Sequence, residues 1–374
     1  MIYLVVVVES ESRKSPMLEG ADYSVTPYSI EHRPAVLKLH RQVLSRALGR
    51  RASYIAWKYE ENPYLSGPLM ALVFYESQLV AMRGLYGSRW NIPSSGRVTI
   101  PAADDLVVDK EHRNRGLFLL LDRELASMAN ESGFSSILSL SAGVTTQRLQ
   151  SITGWKRLHR LDLARRESTA PLSRRSSTTL GKAQEAVYRT GMAVAPLWLW
   201  ETEMDRVLEG ITSASEHVRI DREPNVSAMV ALSGQSANTC RSERGELFHA
   251  WRWRDPIRRY RFVYWEDPEI RGFLVLGHLP GTRDIKIVDS GAETPEILLS
   301  LLLAAVSAPR PSYEMNSTAL PSVVREKLPY LGFHVESKDG PGQPAVFERA
   351  TSDEMPTISA AGCTLEVDLV DIAV

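Results

Sequence analysis

The stretch Arg113-Asn114-Arg115-Gly116-Leu117-Phe118-Leu119, set behind the apolar run Leu106-Val107-Val108, constrains the fold of this chain more than any other feature. A short buried strand ends, four residues pass, and a basic turn containing one glycine opens a helix. The first amides of a helix have no partner inside it, and the helix dipole adds partial positive charge there. Such a turn therefore suits a pyrophosphate. Leu117, Leu120, Leu121, Leu125 and Met128 recur at helical spacing, and Gly133 is placed to end the helix in a left-handed conformation. A second strand follows over 134–141, so the strand–turn–helix–strand unit spans roughly 103 to 141.

A length of 374 residues favours two domains or more. The net charge is −1, so no overall field draws the chain to nucleic acid or to an anionic membrane. Cys240 and Cys363 form no metal or redox spacing, which points to a reducing cytoplasm. The opening run, residues 1–8, is apolar but short, is followed by Glu9 and Glu11, and reads as a buried or edge strand. Nothing elsewhere reaches transmembrane length. No histidine pair has ligand spacing with a carboxylate or Cys partner, so no metal is expected. No nucleophile elbow or phosphate-binding Gly-x-x-x-x-Gly-Lys loop occurs.

The chain carries a weak internal repeat. Ala56-Trp57-Lys58-Tyr59-Glu60-Glu61-Asn62-Pro63 precedes a hairpin over 69–74 and 79–85, and Ala250-Trp251-Arg252-Trp253-Arg254-Asp255-Pro256 precedes β-rich runs at 261–264 and 272–276. Each half closes alike, on Gly154-Trp155 and on Gly332-Phe333. The second copy has a strand at 285–289 and a helix from Pro295 to about Ala308, but no Arg-x-x-Gly turn between them. Glu293 and Glu296 near that helix start would repel a phosphate. A motif repeated in a half without a phosphate turn reads as packing and turn formation, so Trp57, Tyr59 and Asn62 are expected to be structural.

The implied organisation is an N-terminal domain over 1–165, a linker and helical segment over 166–212, a second copy over 213–350, and a tail over 351–374. The polar, basic stretch 165–179 reads as linker.

The 103–141 unit resembles the coenzyme A-binding core of the GNAT acyltransferase superfamily. There an apolar strand ending in Val is followed, about four residues on, by Arg or Gln-x-x-Gly-x-Gly or Ala. Val108 and Arg113-x-x-Gly116-x-Phe118 fill that pattern except at the last position, where Phe replaces a small residue. The resemblance covers about residues 22 to 165. It implies an α/β fold (α+β mixed sheet) of two tandem GNAT-like domains, each a mostly antiparallel sheet flanked by helices, with only the first able to hold acyl-CoA. It implies acetyl-CoA or another acyl-CoA as co-substrate. The amides of Arg113, Asn114, Arg115, Gly116, Leu117 and Phe118 would bind the pyrophosphate. The backbone of Leu106, Val107 and Val108, on a strand splayed from its neighbour, would align the pantetheine.

Strand alternation would put Asp104, Leu106 and Val108 on one face and Asp105 on the other. The resemblance makes Asp104 the first candidate for general base and Asp105 the second. At the position where the superfamily commonly carries an acidic Tyr, this chain has Gln150, leaving Ser141, Tyr86 or solvent to protonate the thiolate. The implied activity is acyl transfer to a small-molecule amine, such as an amino sugar or a biosynthetic intermediate, in a pocket at the junction of the halves. A longer acyl-CoA or an acyl carrier protein as donor is a second reading, and a non-catalytic coenzyme A-binding module a third. No nucleic acid or membrane partner is expected, and a homodimer is allowed.

Overall fold

The computed structural model describes residues 23–43, 51–140, 144–167, 207–234, 239–279, 284–307, 311–336, 345–351, 358 and 364–366. In the first half the strands are β1 (Tyr23–Pro27), β2 (Leu69–Tyr75), β3 (Gln78–Ile92), β4 (Gly96–Val108), β5 (Ser136–Ser139), β6 (Lys156–Arg160) and β7 (Leu163–Arg166). Those of the second are β8 (Val218–Asp221), β9 (Thr239–Ser242), β10 (Arg259–Glu266), β11 (Ile270–His278), β12 (Asp284–Ala292), β13 (Ser312–Asn316), β14 (His334–Glu336), β15 (Ala345–Ala350) and β16 (Thr364–Glu366). The helices are α1 (Arg33–Val43), α2 (Arg51–Ile55), α3 (Leu117–Glu131), α4 (Val144–Ile152), α5 (Val226–Leu232), α6 (Glu246–Arg252), α7 (Pro295–Ser307) and α8 (Ser322–Lys327). A π-helical turn, Ala56–Glu60, continues α2.

The strands form two mixed, mainly antiparallel sheets. One runs β1-β2-β3-β4-β5-β15-β6, and the other runs β14-β7-β13-β12-β11-β10-β8. Alternation along β2 explains how the first sheet is covered. Ala71 and Val73 face α3 with its Leu117, Leu121 and Leu125, while Met70 and Leu72 face the opposite core with Trp57 and Leu39. α3 follows β4 and returns to the parallel strand β5; α7 follows β12 and returns to the parallel strand β13. The two halves repeat the same strand–helix–strand unit.

The halves are joined by a reciprocal strand exchange. β7, from the first half, lies antiparallel to β13 and β14 in the second sheet. β15, from the second half, lies antiparallel to β5 and β6 in the first. Each exchanged strand occupies the equivalent slot. The expected boundaries at 165 and 350 therefore do not separate the sheets, since 163–166 belongs to the second and 345–350 to the first. β9 adds to the far end of β3, with Trp90 opposite Ser242, and β16 pairs with β9.

Several expectations hold in detail. α3 ends as read, with Gly133 left-handed at φ 80°. The closing corners match: Gly154 (φ 86°) and Gly332 (φ 82°) are both left-handed, with Trp155 and Phe333 buried behind them. Residues 1–8 and nearly all of the 166–206 stretch lie outside the described residues. Cys240 on β9 is buried and disulfide-bonded, which removes the thiol argument for a reducing compartment. Among the described residues no helix is long and apolar enough to cross a membrane.

Candidate active site

Among the described residues β4 pairs with β5 at Ala102, opposite Leu138. Beyond that point the segment Ala103–Val108 has no ladder partner on its β5 side among the described residues. That is the stretch holding Leu106-Val107-Val108, where the resemblance implies a splayed strand. The chain then turns through Asp109, whose carboxylate accepts the Glu111 amide at 2.9 Å, and through Asn114 (φ 61°) and Gly116 (φ 75°). Gly116 caps α3 with no side-chain hydrogen bond, and the first turn of the helix holds no acidic residue. A Cβ at Gly116 would meet nothing within 4 Å, so the outer side of the turn is open. The Arg115 guanidinium reaches the Tyr23 hydroxyl (3.2 Å), which also bonds His112 Nδ1 (2.9 Å). In the second half the equivalent helix, α7, starts with Thr294 accepting the Ile297 amide at 3.4 Å and has Glu296 in its first turn. Side chain and charge thus close the second copy to an anion.

Phe118, the departure from the small residue of the superfamily pattern, is a core residue. Its ring lies 5.0 Å from the buried Arg83 guanidinium, which has Trp155 5.4 Å away. Arg83 donates to Asp122 on α3 (2.8 Å), and so do Trp155 Nε1 (3.1 Å) and Arg349 from the exchanged β15. Phe118 shields a buried charge network from solvent, and only its backbone amide is available at the turn.

The strand does not alternate through Asp104 and Asp105 as expected. Met82 faces Val107 and Gly84 faces Asp104, so β4 has one more residue than β3 between these pairs. Asp105, at φ 48°, occupies this bulge. Ala102 and Val107 consequently share one core cluster although five positions apart, and Leu106 and Val108 pack on the other side. Asp104 and Leu106 thus lie on opposite faces, and both aspartates turn toward one cation. Lys58 Nζ is 2.7 Å from Asp104 Oδ2 and 3.3 Å from Asp105 Oδ2.

The environments of the two carboxylates differ. Asp105 accepts from the Tyr59 hydroxyl at 2.7 Å and the Tyr54 hydroxyl at 3.0 Å. Burial pushes its carboxyl up, but Lys58, His40 and the tyrosine donors outweigh this and hold it below the usual range. Asp104 keeps a fifth of its side chain exposed. Burial, with the charge of Asp105, holds its carboxyl above the usual range despite Lys58. Burial also raises the Tyr54 and Tyr59 phenols well above 10, so both remain donors.

Sequence reasoning missed Lys58, and Tyr59, expected to pack, does so in the core and also donates to Asp105. A π turn widens the helix, letting the consecutive side chains of Trp57, Lys58 and Tyr59 all be buried, which α-helical spacing would not allow. Tyr59 reaches Asp105 by lying on Gly84, where a Cβ would stand 2.4 Å from its ring. Trp57 and Asn62 are structural, as expected. The Asn62 carboxamide accepts the Tyr64 amide (3.0 Å), as Asp255 accepts that of Ile257 (2.8 Å).

Gln150 is fully buried on α4, and its amide has no hydrogen-bond partner among the described residues. Ser141 lies outside the described residues. A cavity of about 410 Å³ lies between the halves, bordered by Asn91, Arg97, Arg241 and Glu243. Eight residues of β4, roughly 26 Å of strand, separate its Gly96 edge from Asp104, so it is not the pocket at the splay.

No protein-family model matches the chain, and no curated protein sequence does. Solved structures do. A GCN5-related N-acetyltransferase from Anabaena variabilis aligns over 88% of this chain and 73% of its own, with 12% identity and a TM-score of 0.57. A candidate N-acyltransferase from Enterococcus faecalis aligns over the same shares, with 11% identity and a TM-score of 0.55. A candidate acetyltransferase from Pyrococcus horikoshii aligns over 96% of this chain and 98% of its own, with 10% identity and a TM-score of 0.52. With its splayed β4, its glycine-capped α3 and two sheets of like topology, the chain has the GNAT fold.

Proposed function

We propose that this protein is an acyl-CoA-dependent N-acyltransferase that moves an acyl group, in the simplest case acetyl, onto a small-molecule amine such as an amino sugar or a biosynthetic intermediate. The observation carrying this reading is the parting of β4 from β5 directly before an open, glycine-capped helix start. That arrangement offers strand backbone to a pantetheine and uncapped amides to a pyrophosphate, and the second half keeps only the fold around it.

Bound acyl-CoA would supply the acyl group as a thioester. The amides of residues 113–118 hold the pyrophosphate, with the Arg113 and Arg115 side chains adding charge. The backbone of Leu106, Val107 and Val108 orients the pantetheine and polarises the carbonyl. Asp104, raised in pKa and part-exposed, takes the proton of the acceptor ammonium, directly or through water. The freed amine attacks the carbonyl carbon, the C–N bond forms, and the C–S bond breaks. Gln150 can donate a hydrogen bond to a thiolate but no proton, and the proton that the nitrogen sheds as the C–N bond forms reaches the departing thiolate by way of Ser141, Tyr86 or solvent.

Calorimetric titration with coenzyme A tests the binding half of this reading, and saturation is expected. Thiol release from acetyl-CoA across an amine panel tests the catalytic half. A second reading, a coenzyme A-binding module without turnover, draws on Gln150 at the acid position. Saturable binding with no thiol release from any amine or acyl length would favour it.

A further inference from the structure

Lys58 is fully buried, yet its ammonium joins the two carboxylates at the splay. It also donates to the Tyr54 hydroxyl at 2.7 Å. The rings of Tyr54, Tyr59 and Tyr86 lie 5.1, 5.5 and 5.2 Å from it, enclosing the cation on its remaining sides. The repeat supplies a comparison. Arg252 holds the same place after Trp251 and is also buried, but it lies 3.7 Å from Asp255 in its own turn. Both copies bury a cation, and the first directs it to strand carboxylates.

The carboxylates that Lys58 joins are unlike. Asp105 has two tyrosine donors besides Lys58, whereas Asp104 accepts its other bond from the Asp105 amide (2.8 Å) and keeps the more exposed side chain. Two carboxylates and one ammonium leave a net charge of −1 in a poorly solvated site. Without the cation, two adjacent carboxylates would not both stay ionised near neutral pH.

We propose that Lys58 is a positioning residue for the transfer reaction: it fixes Asp105 as a permanent anion and presents Asp104 at the open side of the splay as the carboxylate that meets the acceptor amine. This rests on the reading of Asp104 as base. The acceptor is thereby confined to amines that arrive protonated, because the free charge of the cluster attracts a cation. The other groups facing the pair are Tyr54, Tyr59 and Tyr86, His40 from α1, and Arg83 from β3 opposite the bulge. None of them is itself substituted in the variants below, so each variant changes only Lys58 or Asp105.

Two measurements test this. In the first, the pH profile of kcat/KM is followed by thiol release for the wild type, Lys58→Met, Lys58→Arg and Asp105→Asn. Lys58→Met should move the acid limb up by about one to three pH units, since the like charge is then uncompensated. Asp105→Asn, isosteric and without the like charge, should move it down by about one unit. Lys58→Arg should bring it back to within about half a unit of wild type. A structural role alone would lower stability or kcat with the limb in place, and that result overturns the proposal. Should Lys58→Met fail to fold, the downward shift in Asp105→Asn beside an unmoved limb in Lys58→Arg still decides, and a limb left in place by Asp105→Asn overturns the proposal.

The second measurement needs no acceptor. Carbon-13 NMR titration of the aspartate carboxyls should give separated steps for Asp105 and Asp104 in the wild type, and the separation should collapse or move up in Lys58→Met. Absence of separated steps in the wild type overturns the role of Lys58 whatever the turnover. Separated steps without thiol release from any amine would uphold the charge arrangement and instead refute the proposed activity.

Discussion

Trp57 and Trp251 hold one another by matched hydrogen bonds. The Trp57 indole donates to the Trp251 carbonyl at 2.8 Å, and the Trp251 indole donates to the Trp57 carbonyl at 2.9 Å. Their rings stack 5.0 Å apart, 13° from parallel. The equivalent residues of the two repeats thus meet each other, which places a local two-fold axis between the halves. Lys58, the next residue after Trp57, is carried into the site by the same turn.

Replacing either tryptophan with Phe removes one buried hydrogen bond, which should cost about 0.5–1.5 kcal/mol, the Trp251 carbonyl still accepting the Arg254 amide at 3.2 Å. The double variant should cost less than the sum of the singles, because each change also breaks the stack that the other depends on. Urea denaturation of the four proteins measures this, and strict additivity would show that the pair is not a coupled unit.

Gly116→Asp should lower coenzyme A affinity by about 100-fold, by putting a carboxylate at the turn. Gly116→Asn adds no charge and suits a left-handed conformation, so its affinity should stay within about fivefold of wild type. Titration calorimetry separates the two. Equal losses would mean that shape rather than charge governs the turn.

Asp122 carries three donors from three elements, Arg83 on β3, Trp155 at the closing corner and Arg349 on the exchanged β15. Asp122→Ala should destabilise the protein by about 3–5 kcal/mol, because it strands the buried Arg83 guanidinium. The same network ties the halves together. Tryptophan fluorescence and far-ultraviolet circular dichroism should therefore report one coincident unfolding transition, and two separated transitions would contradict that linkage.

Burial holds His249 and His278 at a pKa of about 4, with Arg244 and Arg261 respectively adding repulsion. Unfolded, each titrates near 6.5, so between these values the unfolded chain binds more protons. The stability they contribute is complete above about pH 6.5 and is lost as pH falls toward 4, on the order of 3 kcal/mol for each. Denaturation midpoints followed from pH 7.5 to 4.5 should fall accordingly, and replacing either histidine with Gln should flatten the curve.

Local information settled much of this protein. Period-3.6 leucines mark α3, and left-handed turns fall at Gly116, Gly133, Gly154 and Gly332 because glycine takes those angles at least cost. The Trp57 and Trp251 motifs mark the two halves as copies of one pattern. Tertiary structure decided the rest, for a physical reason. A strand's alternation tells which face is buried but not which neighbour it joins, so the exchange of β7 and β15 left no trace in the chain. Likewise one extra residue at Asp105 and one widened turn at Lys58 are invisible to periodicity, yet together they bring Asp104, Asp105 and Lys58 to one point. The sequence determined that two sheets would form and that one helix start would lie open; long-range packing decided which strands close each sheet and which cation meets the carboxylates.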